Sequence, residues 1–337
     1  MQTTERISLA DAETLIFKAL VAAGVVNVAA LAVAKALVAA EADGQPGHGF
    51  SRLGDYLGQV RSGKIKAQAQ IVTVADSDTA ILTNADCGFA YPALDVTIAQ
   101  GIRVAKARGM AAMSVFNSHH CGSLAFQVQK LADAGLIGLM CANAPKAIAP
   151  WGGKAPVFGT NPIAFAAPRQ GQPPLVIDLS LSKVARGKVM HAKKMGTPIP
   201  EGWALDKDGQ PTTDPQAALE GTMLPIGGAK GTALALMVEI LAAALTGSAF
   251  SHEAGSFFTA EGTPPRVGQF LLAIDPGKRM PDFLARLEVL LTEISAQEGA
   301  RLPGMRRLQS QARATAEGIE VPKAYLDLAR AAAAGTA

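Results

Sequence analysis

Cysteine is scarce in this 337-residue chain: Cys87, Cys121 and Cys141 are the three present, with no CxxC spacing. That pattern builds neither a disulfide framework nor a cysteine zinc site, and it predicts reduced thiols in a cytoplasmic protein. Aromatic residues are also few, at 5%, and the net charge is only +3 with the basic residues scattered, so nucleic-acid binding has little support. Small anionic ligands fit better. The most apolar stretches are broken by Lys35 or Glu239 before they reach the ~18 residues of a membrane span. Met1 to Ser8 carries Glu5 and Arg6 and lacks the apolar core of a signal peptide, so a soluble, unexported protein with no membrane partner is expected. The GxSxG nucleophile elbow and the GxxxxGK[ST] phosphate loop are missing too, which disfavours serine hydrolysis and nucleotide triphosphate hydrolysis.

What is present is a well-patterned globular chain, 49% hydrophobic, with ample core for one complex domain or two. Ser8 and Asp11 can cap a first helix running to about Gly24, and Asn27 a second ending near Gly44. From Ala69 the runs shorten, and Ile71 to Val74 and Ala80 to Thr83 predict a hairpin around Asp76-Ser77-Asp78. A helix follows, with Pro92 in its first turn and Gly109 at its end. Next come a strand at 111–116, a helix at 123–134 and a buried strand at 136–141, a strand-helix-strand unit of ordinary length. Another strand covers 175–178, the Pro-rich segment 196–215 is a long loop, and one apolar helix spans 230–245. A strand at 269–274 and two C-terminal helices end the chain. The expected division is 1–68 as an N-terminal helical part, 69–225 as a central α/β region, and 226–337 as C-terminal elements packing back on both.

The most informative stretch is Gly47-His48-Gly49-Phe50-Ser51-Arg52. A helix beginning near Gly49 puts Phe50, Leu53, Leu57 and Val60 on a buried stripe. His48, Arg52 and Tyr56 then share the neighbouring face, aimed at one place, with the geometry to bind a carboxylate and supply a proton beside it. The letters nearly spell a dinucleotide GxGxxG, but Arg52 replaces the third glycine and the preceding residues predict a helix, not the strand that such a loop must follow. Asn117 to Gly122 lies between a strand and a helix start, where free N–H groups and the helix dipole favour a phosphate. His119 and His120 there are neighbours in a tight loop with no partner ligands at metal spacing, so no metal is expected. Thr160, in Gly159-Thr160-Asn161-Pro162, either donates to a substrate carboxylate or closes a turn. Gly227 to Gly231 lets backbone approach an anion, with Lys230 as a point charge.

With these pieces assembled, the chain resembles the malate/L-lactate dehydrogenase-type family of NAD(P)-dependent oxidoreductases, whose cofactor fold is not a Rossmann fold. The carriers are His48 to Leu53, Asn117 to His120, Gly159 to Phe165, Ile199 to Asp206, and Gly227 to Gly231 leading into Ala233 to Val238. Cys121-Gly122 and Phe250 to Glu253 are most similar to the Δ1-piperideine-2-carboxylate/Δ1-pyrroline-2-carboxylate reductase branch. The resemblance implies an α/β (α+β) fold: a central mixed, largely antiparallel sheet, a helical domain formed by both termini, and assembly as a homodimer. It implies His48 as proton donor and Arg52 and Thr160 as substrate-binding residues, to which the shared face adds Tyr56. Cofactor contacts are implied for His120, Cys121, Gly122, Ser123 and Leu124, for Asp178, Leu179 and Ser180, for Arg186 and Gly187, for Ala229 and Lys230, and for the segment holding Arg301, Gly304 and Arg306. The family's serine before the histidine is Gly47 here, and an acidic residue after the Gly187 position is Lys188, so a serine-histidine-aspartate relay cannot be assembled.

The implied reaction is NADPH-dependent reduction of Δ1-pyrroline-2-carboxylate or Δ1-piperideine-2-carboxylate to L-proline or L-pipecolate. The alternative is a 2-hydroxy acid dehydrogenase acting on malate, lactate, ureidoglycolate or a similar acid. NADPH is preferred to NADH because Arg301, Arg306 and Arg307 flank Pro303-Gly304, where a 2′-phosphate would meet guanidinium groups. Arg52 and a helix N-terminus both oppose protonation of His48, a tension that only the substrate carboxylate obviously relieves.

Overall fold

The computed structural model describes residues 3–75 and 77–336, so Asp76 in the expected hairpin turn lies outside the described residues. The chain opens with β1 (Thr4–Ile7), α1 (Leu9–Ala22), α2 (Asn27–Ala42), two single 3-10 turns (Pro46–His48 and Phe50–Arg52) and α3 (Leu53–Arg61). Next come β2 (Val72–Ala75), β3 (Ala80–Asn84), α4 (Ala90–Arg108), β4 (Met110–Ser118), α5 (Leu124–Asp133) and β5 (Ile137–Ala142). They are followed by β6 (Ile163–Ala167), β7 (Leu175–Leu179), α6 (Arg186–Met195), β8 (Ala204–Leu205), β9 (Pro211–Thr212), α7 (Pro215–Glu220) and β10 (Thr222–Met223). The last part holds α8 (Ala229–Glu239) with a π-helical continuation (Ile240–Ala244), β11 (Val267–Ile274), α9 (Phe283–Ser295), α10 (Met305–Glu317), β12 (Ile319–Pro322) and α11 (Lys323–Ala333).

Seven strands form the central sheet in the order β2-β3-β4-β11-β5-β6-β7. Only β3 and β4 pair in parallel; every other neighbour is antiparallel, which gives the mixed, largely antiparallel sheet. The strand-helix-strand unit β4-α5-β5 is present, but β11 is inserted between its strands. A residue pattern around 111–141 cannot announce a partner that arrives more than a hundred residues later.

Both chain ends close on each other: β1 pairs antiparallel with β12, Thr4 opposite Pro322 and Ile7 opposite Ile319. One core then joins Ile16 and Leu20 of α1, Leu37 of α2, Leu53 and Leu57 of α3, and Leu326 of α11, all at most 2% exposed. Burial of each such side chain stabilises by about 1.5–3 kcal/mol. A second core lies between the sheet and α4 and α5, and a third joins the segment 147–163 to α6 and α8.

Local expectations fare differently. Ser8 caps α1, its Oγ accepting from Asp11 N at 3.1 Å, and Gly109 ends α4 in the left-handed region at φ 93°. Asn27 is not a cap but the first helical residue; Val26 holds the cap position because its N–H donates to the Ala67 carbonyl and keeps that residue extended. The helix expected from Gly49 starts only at Leu53, after two 3-10 turns, although Phe50, Leu53, Leu57 and Val60 are buried as the stripe requires. The C-terminal region has three helices and a strand where two helices were expected, since β12 is four residues long and its partner lies at the other end of the chain.

Candidate active site

His48 closes the first 3-10 turn and Arg52 the second, and α3 carries Tyr56 one turn further on. Glu41, near the end of α2, supports this stretch: its Oε1 accepts from Phe50 N at 2.7 Å, and a Cβ on Gly49 would collide with its carboxylate. Burial pushes the Glu41 carboxyl up to about 6. The His48 ring stacks on His120, with centroids 5.3 Å apart and planes 13° from parallel, and its Nδ1 is buried without a partner. Thus stacking and the Glu41 support hold His48 where the serine and aspartate of a relay are missing. Burial first, and Arg52 second, lower its pKa to about 4, the tension anticipated from the sequence.

Arg52 is 5% exposed and fixed on several sides. Its Nη2 donates to the Phe257 carbonyl at 2.8 Å, its Nη1 pairs with Asp55 at 3.0 Å, and its guanidinium lies 4.6 Å from the Phe258 ring centroid. Nε is buried and unpartnered. Two of its donors are therefore committed within the chain, and its planar fork is held in one orientation. The Tyr56 hydroxyl is committed as well, 2.6 Å from His120 Nδ1 and 2.9 Å from the Tyr91 hydroxyl, and the residue is fully buried.

His119 packs, like His120, against Tyr56 and Phe257, but has a different hydrogen-bond partner. Gln59 Nε2 donates to the Phe257 carbonyl at 2.9 Å, so its Oε1 accepts from His119 Nε2 at 2.7 Å. Burial is the main cause that lowers the His119 pKa to about 3, and the same cause, with Arg52, lowers His120 well below the ordinary histidine value. Cys121 is buried, with its thiol pushed up to about 12 by desolvation, which makes it a core residue and not a nucleophile.

The remaining predicted positions lie on segments that are bonded to one another or stand at exposed helix starts. Ser123 Oγ and Ala125 N both donate to Asp178 Oδ2, at 3.1 and 2.8 Å. The N-terminus of α5, expected to hold a phosphate, thus holds the Asp178 carboxylate; burial raises that carboxyl's pKa against these bonds. The next loops lie side by side: Leu181 N donates to the Thr160 carbonyl, and Ile226 N to the Leu181 carbonyl, each at 2.8 Å. That places Thr160, the segment Leu179–Ser180, and Ala229 and Lys230 of α8 on neighbouring strips of backbone. Asn161 anchors them, with Nδ2 donating to the Ala235 carbonyl at 3.0 Å and to Glu239 Oε1 at 2.8 Å. Arg186 is held by the Lys146 carbonyl at 3.1 Å, while Gly187 and Lys188 are exposed at the start of α6.

At the far end, Gly304 takes φ 82°, and a Cβ there would meet the Val176 carbonyl at 2.9 Å, two residues before Asp178. Arg301, Pro303, Gly304, Arg306 and Arg307 line a cavity of ≈ 290 Å³ at the N-terminus of α10. Arg307 is buried on Gln129 at 2.6 Å and Asp43 at 3.5 Å with its Nε unpartnered, whereas Arg301 and Arg306 are exposed and make no ion pair among the described residues. Unpaired guanidinium groups, a helix N-terminus and a glycine that lets backbone close in fit the phosphate-bearing end of NADPH.

Phe257 and Phe258 are the neighbours of Arg52 and the histidines that sequence reasoning missed. They come from a loop held by Arg52, Gln59, Ser62 and Lys64, whose Nζ donates at 2.9 Å to the carbonyls of Thr259 and Glu261. No local pattern ties that loop to α3. Gln59 and Lys64 carried the only signal, as polar residues that the structure buries next to the α3 stripe.

The model for malate/L-lactate dehydrogenase matches residues 7–328. The (2R)-3-sulfolactate dehydrogenase (NADP(+)) of Chromohalobacter salexigens is 52% identical, covering 96% of this chain and 97% of its own. Δ1-Pyrroline-2-carboxylate reductase 2 of Burkholderia multivorans is 38% identical, covering 95% of each. The crystal structure of Δ1-piperideine-2-carboxylate reductase from Pseudomonas syringae pv. tomato superposes with a TM-score of 0.92 at 37% identity, covering 98% of this chain and 100% of that one. With the fold and the matching family model in agreement, the chain belongs to the malate/L-lactate dehydrogenase family of oxidoreductases.

Proposed function

We propose that the protein is an NADPH-dependent oxidoreductase that interconverts a small 2-hydroxy acid and its 2-oxo acid, with 3-sulfolactate as the first substrate to test. The observation that carries this reading is His48: a neutral, partner-free imidazole next to an immobilised guanidinium. Bound NADPH supplies the hydride, or NADP⁺ accepts it. Arg52 holds the substrate carboxylate, with Thr160 beside it, so that the C2 oxygen lies against His48. His48, neutral before substrate arrives, takes the hydroxyl proton in oxidation and returns it in reduction. The substrate carboxylate, once bound, raises the imidazole's proton affinity and offsets Arg52. Ser123, Asp178 and Gly304 would hold the cofactor's adenosine end, and Arg301 and Arg306 would meet its 2′-phosphate; NADH, lacking that group, would bind less well.

The choice of 3-sulfolactate rests on the 52% identity with the Chromohalobacter enzyme. A second reading, reduction of Δ1-pyrroline-2-carboxylate or Δ1-piperideine-2-carboxylate, is favoured by relatives at 37–39% identity and by the Pseudomonas syringae structure. The two differ at His48, because a cyclic iminium already carries its proton and needs none from the enzyme for hydride addition. Rates of nicotinamide absorbance change with 3-sulfolactate, malate, lactate and both cyclic imines decide between them; turnover of imines alone would remove the hydroxy-acid reading.

Assembly as a homodimer belongs to the same proposal. Leu234, Met237, Ile240 and Leu245, on α8, its π-helical continuation and the residue that follows, are 42–63% exposed, and a second copy of the chain would cover them.

A further inference from the structure

Two imidazoles lie face to face in this site, and the proton bookkeeping between them is settled by a buried chain of hydroxyls. Tyr91 is 1% exposed, and its hydroxyl makes a single hydrogen bond, at 2.9 Å to the Tyr56 hydroxyl. A buried O–H with one neighbour must point its hydrogen at that neighbour, so Tyr91 donates to Tyr56. The Tyr56 hydroxyl then has one remaining direction for its own hydrogen, His120 Nδ1 at 2.6 Å. Arg52, the charged group beside Tyr56, has no lone pair to accept it. His120 Nδ1 is therefore an acceptor, and the neutral ring carries its hydrogen on Nε2, which makes no hydrogen bond within the chain. The approach of Tyr91 is tight: Gly122 sits at φ 68°, and a Cβ there would meet the Tyr91 hydroxyl at 2.7 Å.

We propose that Tyr91 and Tyr56 are positioning residues that lock His120 as a neutral Nε2–H donor, leaving His48 as the one imidazole of the stacked pair that takes up and releases a proton. Only the assignment of proton exchange to His48 rests on the proposed function; the tautomer of His120 does not. Adding a proton to His120 would place it on Nδ1, opposite the Tyr56 hydrogen. Tyr56 would have to turn its hydrogen toward Tyr91, and Tyr91 would have to turn its own into apolar surroundings. No hydroxyl hydrogen is aimed at His48 Nδ1, which is buried without a partner, so protonating this ring turns no hydroxyl around, and the parallel ring 5.3 Å away stays neutral, which avoids two like charges in contact. His120 Nε2–H is then a fixed donor for an oxygen of whatever ligand occupies the cleft.

The test is long-range ¹H–¹⁵N correlation on full-length protein labelled with ¹⁵N-histidine, where His120 is one of five histidines and is assigned by comparison with His120→Gln. The wild type is expected to show His120 as the Nε2–H tautomer across pH 5–8. Tyr56→Phe removes the donor and is expected to convert His120 to the Nδ1–H form or a mixture, with His252 unchanged. A wild-type His120 that is an Nδ1–H tautomer or an imidazolium at neutral pH overturns the proposal, and so does an unaltered Nε2–H signal in folded Tyr56→Phe. The wild-type spectrum decides the tautomer even if the variant does not fold. Loss of activity against every substrate tried, with the Nε2–H tautomer intact, would count against the proposed function and not against the lock.

Discussion

At the scale of single residues, the site is governed by groups whose charge is suppressed. Glu41 is held near pKa 6, above the ordinary carboxylate value, so between pH 4.5 and 6 the folded state binds more protons than the unfolded one. Its contribution is therefore favourable at low pH and lost as pH rises through 6, by about 2 kcal/mol for a shift of this size. Glu41→Gln keeps an acceptor for Phe50 N–H and removes the buried charge. It is expected to unfold at a higher temperature than wild type at pH 8 and at about the same temperature at pH 4.5. Glu41→Ala, lacking the acceptor, is expected to lower kcat by loosening the His48 turn. Thermal unfolding at the two pH values, together with steady-state rates, checks both. His48 behaves in the opposite sense. Its pKa near 4 predicts that kcat/KM for 2-hydroxy acid oxidation stays level as pH falls through 6.5 and declines only near pH 4. An acid limb at the ordinary histidine value would show that a different group accepts the proton.

At the scale of elements, α5 shows how a binding motif can be read correctly in place and incorrectly in occupant. Asn117 to Ser123 does lead into a helix start, but Asp178 fills that N-terminus, accepting from Ser123 Oγ and Ala125 N. Asp178→Asn keeps an oxygen but loses the charge at the helix N-terminus. Since burial raises that carboxyl's pKa as it does for Glu41, the substitution is expected not to lower stability at pH 8 and to weaken NADPH binding, as read by unfolding and by fluorescence titration. The α3 stripe, the capped α1 and the end of α4 at Gly109 were legible because each is decided within a dozen residues. The insertion of β11, the pairing of β1 with β12 and the approach of Phe257 to Arg52 were not, since each joins segments more than 120 residues apart. The same limit applies within the site. The spacing of His48, Arg52 and Tyr56 put all three on one face, but only the fold shows that the Tyr56 hydroxyl is spent on His120 and Tyr91.

At the scale of the whole molecule, three depressed histidines share one core. His48, His119 and His120 are neutral in the folded state and protonated in the unfolded state below about pH 6.5, so stability falls as pH drops from 6.5 toward 4. The exposed face of α8 carries the assembly claim: Ile240→Lys is expected to shift sedimentation from dimer to monomer, and a monomeric wild type would remove that claim.

The account stands most directly on His48, whose role is measured by comparing wild type with His48→Ala for NADP⁺-linked oxidation of 3-sulfolactate, alongside NADPH affinity by direct titration. The expected result is a fall in turnover of about 10²–10⁴-fold, the range for a positioned acid or base, with cofactor affinity nearly unchanged. Turnover close to wild type in His48→Ala would contradict it.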